Sequence, residues 1–256
     1  MFARCPKCGH QPLPADQSLP AACPSCGVIL AKVAQHTARR ERPLRRGAGS
    51  TGAAQVDPRT GWRALLLQVP ERVDSTLFWC RAALLAVFAI WGLWLMTRSV
   101  AEGEMAQSFI HGPLLVFHEA GHVLFMPLGP WMTVAGGMLM QWLVPVVLGA
   151  ALLWKNRDPF GAAFALWLLG VSVMDIAPYL YDALHPQLTL LGGATGEEGG
   201  HDFIYLLDSL GLRHQAQWLG LLLHKVGALL MLLALGWAGW LLRLQHGRRA
   251  GVVLHE

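Results

Sequence analysis

Long apolar runs constrain this chain more than any other feature, because each run is long enough to form a membrane-spanning helix. A helix needs about 20 apolar residues to cross the hydrocarbon core of a bilayer. The sequence contains five such runs, over residues 76–97, 109–129, 134–154, 160–181 and 218–242. The pattern predicts a mainly α fold, a polytopic membrane helix bundle of four to five spans.

The distribution of charge supports this prediction. Only 14% of the 256 residues are charged, whereas about a quarter of a soluble domain is charged. Residues 1–76 hold eleven Lys and Arg and five Asp and Glu, so a small basic head precedes the membrane body. Tryptophans lie near the ends of the runs, as residues at a membrane interface do: Trp131, Trp154, Trp218 and Trp240.

Two C-x-x-C pairs lie in the head. Cys5 and Cys8 form the first pair, Cys23 and Cys26 form the second, and fourteen residues separate them. Two such knuckles supply four thiolates to one tetrahedral ion, so the spacing predicts a structural zinc ribbon. Four thiolates leave no coordination position for water. We therefore expect the ribbon to fold the head and to bind a protein partner, not to catalyse a reaction.

These features divide the chain into four parts: a zinc ribbon at 1–34, a flexible basic linker at 35–75, a membrane-embedded domain at 76–245 and a C-terminal tail at 246–256. The N-terminus has no apolar signal-peptide core, and metal-binding cysteines suit a reducing compartment. We expect a multi-pass protein of the bacterial inner membrane with a cytosolic ribbon. Its arginine-rich linker is expected to be a solvated, positively charged flank of the first span. Contact with anionic lipid is the next interpretation, and contact with nucleic acid is the least favoured of the three.

Positive charges bear on the number of spans. With a cytosolic head and five full crossings, Lys155, Arg157 and the C-terminal arginines would face outside, against the positive-inside tendency. A re-entrant segment over 109–137, broken by the prolines and glycine of 127–130, would leave four full spans and place both basic segments in the cytosol. Both versions remain open from the sequence.

The second apolar run contains an H-E-x-x-H motif, formed by His118, Glu119 and His122. On a helix the two histidines lie one turn apart on one face, so both imidazoles can bind one ion. Glu119 is placed to accept a proton from a metal-activated water. Ionisable residues inside an apolar span are costly and mark functional sites, and we predict a zinc site here.

A zinc hydrolase needs a third protein ligand and keeps the fourth position for water. The polar residues that follow the motif near membrane depth are the candidates. They are Asp175, Asp182, His185, His201 and Asp202.

A hydrophobic H-E-x-x-H helix, followed by a proline-broken polar segment and an Asp, resembles the site-2 protease family of intramembrane metalloproteases. In that family the third ligand is an Asp in the pattern N-x-x-P-x-x-x-L-D-G. Here Asp175 replaces the Asn before Pro178, and Asp182 follows one residue early, with Ala183 in place of the Gly. The resemblance covers about residues 105–242.

Asp202 fits the family's arrangement of an Asp followed by a helix better, because it follows Gly199-Gly200 and precedes the apolar stretch FIYLL. The resemblance therefore implies His118, His122 and Asp202 as zinc ligands, with Asp182 as the alternative to Asp202. Membrane-bound gluzincins instead use an E-x-x-x-D helix. Glu198 and Asp202 have that spacing, but the glycine pair between them disfavours a helix.

The segment 129–145 also resembles the part of the family that follows the motif, where an edge-like strand holds extended substrate. The equally weighted alternative is that Gly136 and Gly137 only allow close packing of helices.

The resemblance implies an intramembrane zinc metalloprotease that hydrolyses membrane-spanning substrates, with Glu119 activating water. Two zinc ions are expected, one catalytic and one in the ribbon. Because the third-ligand pattern departs from the family, a non-proteolytic metal-binding scaffold or transporter-like protein is the alternative.

Overall fold

The computed structural model describes residues 2–18, 21–33, 58–70 and 73–250. The chain divides into two compact units, Met1–Gln55 and Val56–Glu256. Much of the predicted linker, residues 34–57, lies outside the described residues.

The first unit has a very small core. Cys5, Cys23 and Leu30 are buried together, and an antiparallel bridge joins Ala22 to Ile29. A core of this size cannot stabilise a domain without a staple such as a metal ion or a disulfide. The four clustered cysteines are compatible with the predicted ribbon.

The described part of the second unit is built from helices, and its residues form no β-strand. The helices are α1 (Pro58–Leu66), α2 (Ser75–Met96), α3 (His111–Phe125), α4 (Pro130–Trp154), α5 (Pro159–Asp182), α6 (Asp202–Leu210) and α7 (Ala216–Ala250). The mainly α fold class is therefore confirmed.

Four of the described helices, α2, α4, α5 and α7, are long and apolar enough to cross a membrane. The predicted run at residues 109–129 is not among these four helices. Its helix, α3, has 15 residues and is about 22 Å long, whereas the hydrocarbon core is about 30 Å thick. Four spans, and not five, agree with the observed helices.

Helix α5 is the centre of the bundle. In its most apolar stretch 72% of the residues are buried, against 11% in α2. The contact between α5 and α7 depends on glycine, because a Cβ atom on Gly170 would lie 2.7 Å from the backbone oxygen of Gly227. Small residues let two helix backbones approach this closely in a membrane.

Helices α3 and α4 form an antiparallel hairpin, since His122 meets Thr133 while His118 meets Gln141. The break predicted at 127–130 is present as a 3₁₀ turn, Met126–Leu128, followed by Gly129 at a φ of 96°. Residues 109–137 thus turn back on themselves, but through two packed helices and a short turn.

Three segments that carry positive charge meet at one end of the second unit. Arg81 near the start of α2 pairs with Asp158 at 3.5 Å. Arg248 near the end of α7 donates hydrogen bonds to the backbone oxygens of Val69 and Pro70. We call this the basic end, made up of Arg81, Lys155, Arg157 and Arg248. With four spans instead of five, the basic loop and the end of α7 lie at the same end as the start of α2. This agrees with the four-span version of the charge argument.

Three segments show helix where the sequence left or favoured another interpretation. The segment after the motif, for which a strand and close helix packing were weighted equally, is helical from Pro130 onward, because proline is favoured in the first turn of a helix. The predicted linker includes helix α1, and Leu65 and Val69 are buried, so this part packs on the bundle. Helix α7 continues to Ala250, so residues 246–250 of the predicted tail are helical; residues 251–256 lie outside the description.

We expect Gly170→Ala to destabilise the bundle. The added methyl group would overlap the backbone of α7, and overpacking of this kind costs about 1–3 kcal/mol. Thermal unfolding in detergent measures the effect. Gly236→Ala is the matched control, since a Cβ atom there meets nothing within 4 Å. Equal stability of the two variants would contradict the packing argument.

Candidate metal centres

The cysteines of the first unit form a compact cluster of four thiols. The Sγ atoms of Cys5 and Cys26 lie 3.7 Å apart, and those of Cys8 and Cys23 lie 3.8 Å apart. Two sulfurs about 2.3 Å from a tetrahedral zinc ion lie about 3.8 Å apart, whereas a disulfide requires about 2.0 Å. All four thiols are free and lie within reach of one ion.

The backbone and the thiol electrostatics also suit a cation. Burial opposes ionisation of Cys5, but the backbone N–H groups of Cys8 and Lys7 and the nearby thiols outweigh it and lower the Cys5 pKa. The Val28 N–H favours the Cys26 thiolate, yet desolvation and the neighbouring thiols outweigh it and raise the Cys26 pKa. A bound cation would offset the electrostatic repulsion that prevents all four thiols from ionising together.

In the second unit, His118, His122 and Asp202 converge on one point. The Oδ2 atom of Asp202 lies 3.0 Å from His118 Nε2 and 3.3 Å from His122 Nε2. Ligand atoms about 2.0 Å from a tetrahedral zinc ion lie about 3.3 Å apart. The two carboxylate–imidazole separations are therefore those of ligands that share one ion, and the two histidine nitrogens lie within 4.8 Å of one another.

The hydrogen bonds on the other side of each imidazole fix its tautomer. His122 Nδ1 lies 2.9 Å from the backbone oxygen of Thr133, an acceptor only, so this nitrogen carries the proton. His118 Nδ1 donates to Gln141 Oε1 at 3.2 Å. Both Nε2 lone pairs then face the Asp202 carboxylate. The two lone pairs and the carboxylate repel one another unless a cation lies between them, and such a cation would be coordinated by all three groups.

Glu119 stands beside this point. A carboxylate oxygen of Glu119 lies within 4.8 Å of ligand nitrogens of both histidines. Unlike the buried His118, the Glu119 side chain is exposed and lines the adjoining cavity. It is placed to exchange protons with a water molecule held there.

Asp202 reaches the site because it is the first residue of α6. Its backbone N–H donates to the hydroxyl of Tyr179 on α5 at 2.9 Å. Gly199 and Gly200 precede it with φ values of 109° and 79°, in the left-handed region that favours glycine. These two glycines bring the chain to the start of α6.

A polar chain crosses the bundle behind His118. Gln141 Nε2 donates to Asp175 Oδ2 at 2.9 Å, and His111 Nδ1 lies 3.0 Å from Asp175 Oδ1. The chain therefore runs from His118 through Gln141 and Asp175 to His111, linking α4 and α5 with the middle and the first residue of α3. Gln141 and Asp175 are buried, and their hydrogen bonds with one another offset the cost of that burial.

Gly137 provides the space for the two imidazoles. A Cβ atom on Gly137 would lie 2.5 Å from His118 Nε2 and 2.7 Å from His122 Cε1. Gly121 and Gly136 make an equally close contact between the backbones of α3 and α4. The close-packing interpretation of Gly136 and Gly137 therefore agrees with the structure, and Gly137 also belongs to the site.

A cavity of about 480 Å³ opens beside these groups. It is lined by α3, by α5 and by the loop that joins α5 to α6, including Leu188–Gly192. That loop folds back through the bridge between Thr189 and Thr195. The cavity reaches both Glu119 and Asp202, so it leads directly to the predicted metal position.

Asp182 lies away from this point and anchors the loop. Its Oδ1 atom accepts hydrogen bonds from the backbone N–H groups of Gln187 and Leu188 at 2.8 and 3.1 Å. Its Oδ2 atom lies 3.5 Å from His201 Nε2. Desolvation lowers the pKa of His201 although the Asp182 and Asp202 carboxylates oppose this. The His201 ring stacks on Tyr179 with centroids 4.2 Å apart.

The other sequence candidates lie outside the convergence point. His185 and Glu198 are exposed. Glu198 ends a 3₁₀ turn, and Gly199-Gly200 separate it from α6, so the E-x-x-x-D helix is absent from this part of the structure. The Asp175 carboxylate is instead hydrogen-bonded to Gln141 and His111.

Sequence reasoning did not identify Gln141, Thr133 or Tyr179. Gln141 had a detectable signal, because it is a polar residue within the apolar run 134–154 and such residues are expensive in a membrane. Thr133 acts through its backbone and Tyr179 through its hydroxyl at a helix end, and neither has a sequence pattern of its own.

Comparisons with protein families, with curated proteins and with solved structures found no match to this chain.

We expect Gly137→Ala to abolish metal binding in the second unit, since the methyl group would displace both imidazoles. Metal analysis of the purified protein should show the loss of one ion per chain. Gly239→Ala is the control, because a Cβ atom there has only ordinary contacts. Retention of the ion by Gly137→Ala would show that the histidines do not hold it in this geometry.

We expect Gln141→Leu to weaken metal binding about 10- to 100-fold, the usual effect of losing the outer hydrogen-bond partner of a histidine ligand. Competition with a chelator measures the affinity. In Gln141→Glu, a carboxylate oxygen still accepts the hydrogen bond from His118 Nδ1, but no N–H group remains to donate to Asp175. Comparing the two variants therefore distinguishes loss of the acceptor for His118 from loss of the donor to Asp175. Unchanged affinity in both variants would contradict a role for Gln141.

Proposed function

We propose that this chain is an intramembrane zinc metalloprotease of the site-2 protease type. The observation that carries the proposal is the convergence of two Nε2 lone pairs and the Asp202 carboxylate beside Glu119. Three protein ligands and an adjacent carboxylate form the ligand set of a hydrolytic zinc site, which keeps its fourth position open.

Zinc, when bound, would supply Lewis acidity and lower the pKa of water. The chain's own residues transfer the protons and hold the zinc ligands in position. The Glu119 carboxylate accepts a proton from the attacking water and returns it to the amide nitrogen as the C–N bond breaks. Thr133 and Gln141 hold the imidazoles in the required tautomer, and Tyr179 holds the start of α6.

The surroundings of the site favour membrane-protein substrates. Helix α3 exposes an apolar surface with Val116 and Val123 beside the exposed Glu119. A substrate must be unwound locally before water can reach its carbonyl carbon, because helical peptide bonds are shielded. The folded-back loop near Thr189 forms one wall of the cavity and would face such an extended segment.

By the positive-inside tendency, the basic end faces the cytosol, and the zinc ribbon on the N-terminal side of α1 is cytosolic with it. In the bacterial inner membrane this orientation places Tyr179 and Asp202, near the other end of α5, in the half of the bilayer away from the cytosol. The ribbon would then recruit a protein partner or substrate.

Cleavage by Glu119→Gln tests the proposal. The wild type should cleave membrane-spanning model substrates in vesicles, and the variant should be slower by about 10²–10⁴-fold, the usual contribution of a general base. Glu197→Gln is the matched control, since Glu197 is exposed and lies outside the cavity. Equal cleavage by the wild type and Glu119→Gln would refute the proposed mechanism.

Metal content separates the protease from the scaffold or transporter-like alternative. The wild type should hold about two zinc ions per chain; His118→Ala should lose one, and Cys8→Ser should lose the other. Two ions without cleavage of any substrate in a broad panel of membrane segments would favour the non-proteolytic alternative. A single ion, lost in Cys8→Ser, would overturn the membrane metal site itself.

A further inference from the structure

A second cavity lies at the basic end, far from the H-E-x-x-H motif. Its volume is about 520 Å³, within the range of small-molecule sites. Five parts of the second unit line it: the segment between α1 and α2, helix α2, the loop before α5, the start of α5 and helix α7. A cavity assembled from five parts is a property of the folded unit and not of one loop.

Charged groups of both signs line this cavity, with an excess of positive charge. Arg81 and Arg157 lie in the lining together with Asp158. The Arg81 guanidinium is held by Asp158 at 3.5 Å and lies 5.0 Å above the ring of Phe160. Arg157 is exposed and has a φ of 54°, a conformation that non-glycine residues seldom adopt. The lining therefore favours an anion.

Gln245 supplies an independent polar feature. It lines the same cavity and is 2% exposed. Its Oε1 atom has no hydrogen-bond partner among the residues that the structure describes. A buried acceptor without a donor costs free energy, so a ligand that brings an N–H or O–H group to this position would be stabilised there.

The position of the cavity points to the source of such a ligand. Trp154, at the end of α4 beside the basic loop, is 60% exposed. Exposed tryptophans at the ends of apolar helices lie at the level of the lipid headgroups. The cavity therefore opens where phospholipid headgroups are concentrated.

We propose that this cavity binds the headgroup of an anionic phospholipid that carries hydroxyl groups, such as phosphatidylglycerol. The phosphate lies against Arg81 and Arg157, where guanidinium groups form charge-assisted hydrogen bonds with phosphate oxygens. A headgroup hydroxyl donates to Gln245 Oε1. The acyl chains follow the apolar surface of α2 and α7. This site is independent of the proposed protease activity.

The test is lipid binding by the full chain in detergent, measured by native mass spectrometry with titrated lipids. Phosphatidylglycerol should bind at least about tenfold more tightly than phosphatidylcholine, which offers no hydroxyl donor and no net negative charge. Arg157→Gln should weaken phosphatidylglycerol and phosphatidic acid alike. Gln245→Leu should weaken phosphatidylglycerol but leave phosphatidic acid, which lacks the headgroup glycerol, unchanged.

Arg243→Gln is the matched control, because Arg243 lies near the same end of α7 but outside the cavity lining. An unchanged thermal unfolding midpoint in detergent verifies that the bundle is folded in each variant. Equal binding of all lipids, or equal loss in Arg243→Gln and Arg157→Gln, would overturn the site. If free glycerol 3-phosphate binds as tightly as the lipid, the ligand is a soluble phosphate, and the lipid proposal fails.

Discussion

The close approach of α3 to α4 is the contact on which the rest of the site depends. Gly121 and Gly136 bring the two backbones together, and Gly137 leaves the volume that the imidazoles of His118 and His122 occupy. Because the hairpin is antiparallel, the same approach places Thr133 and Gln141 behind the two rings. One steric condition, the absence of three side chains, thus sets both the position and the tautomer of the histidines.

Polar groups in the apolar interior are satisfied by one another, which joins the site to the fold. The chain from His118 through Gln141 and Asp175 to His111 ties three helices together. Isolated polar groups at this depth would each cost several kcal/mol in hydrocarbon. Each of these side chains is hydrogen-bonded to the next one, so the network that stabilises the bundle also orients His118. A substitution in the network therefore affects both the stability of the bundle and the position of this histidine.

The sequence predicts the long helices and the H-E-x-x-H group well, because hydropathy and helical spacing are local properties. It does not choose between Asp182 and Asp202, since that depends on the path of the loop between α5 and α6, which long-range contacts such as those of Tyr179 and His201 determine. The sequence also left the strand-like and the close-packing interpretations after Gly129 equally weighted, because the glycines suit both, and the helix Pro130–Trp154 agrees with close packing. Gln141 was visible but had no motif to draw attention to it.

The position of the site resolves the apparent conflict between hydrolysis and a hydrophobic setting. His118 is buried among helices, but Glu119 is exposed and Asp202 belongs to a helix that follows an irregular loop. Irregular backbone inside a bilayer must be buried in protein or line a cavity, and the loop before α6 lines the same cavity as Glu119 and Asp202. For the proposed hydrolysis, that cavity is the approach to the site that does not pass between packed helices.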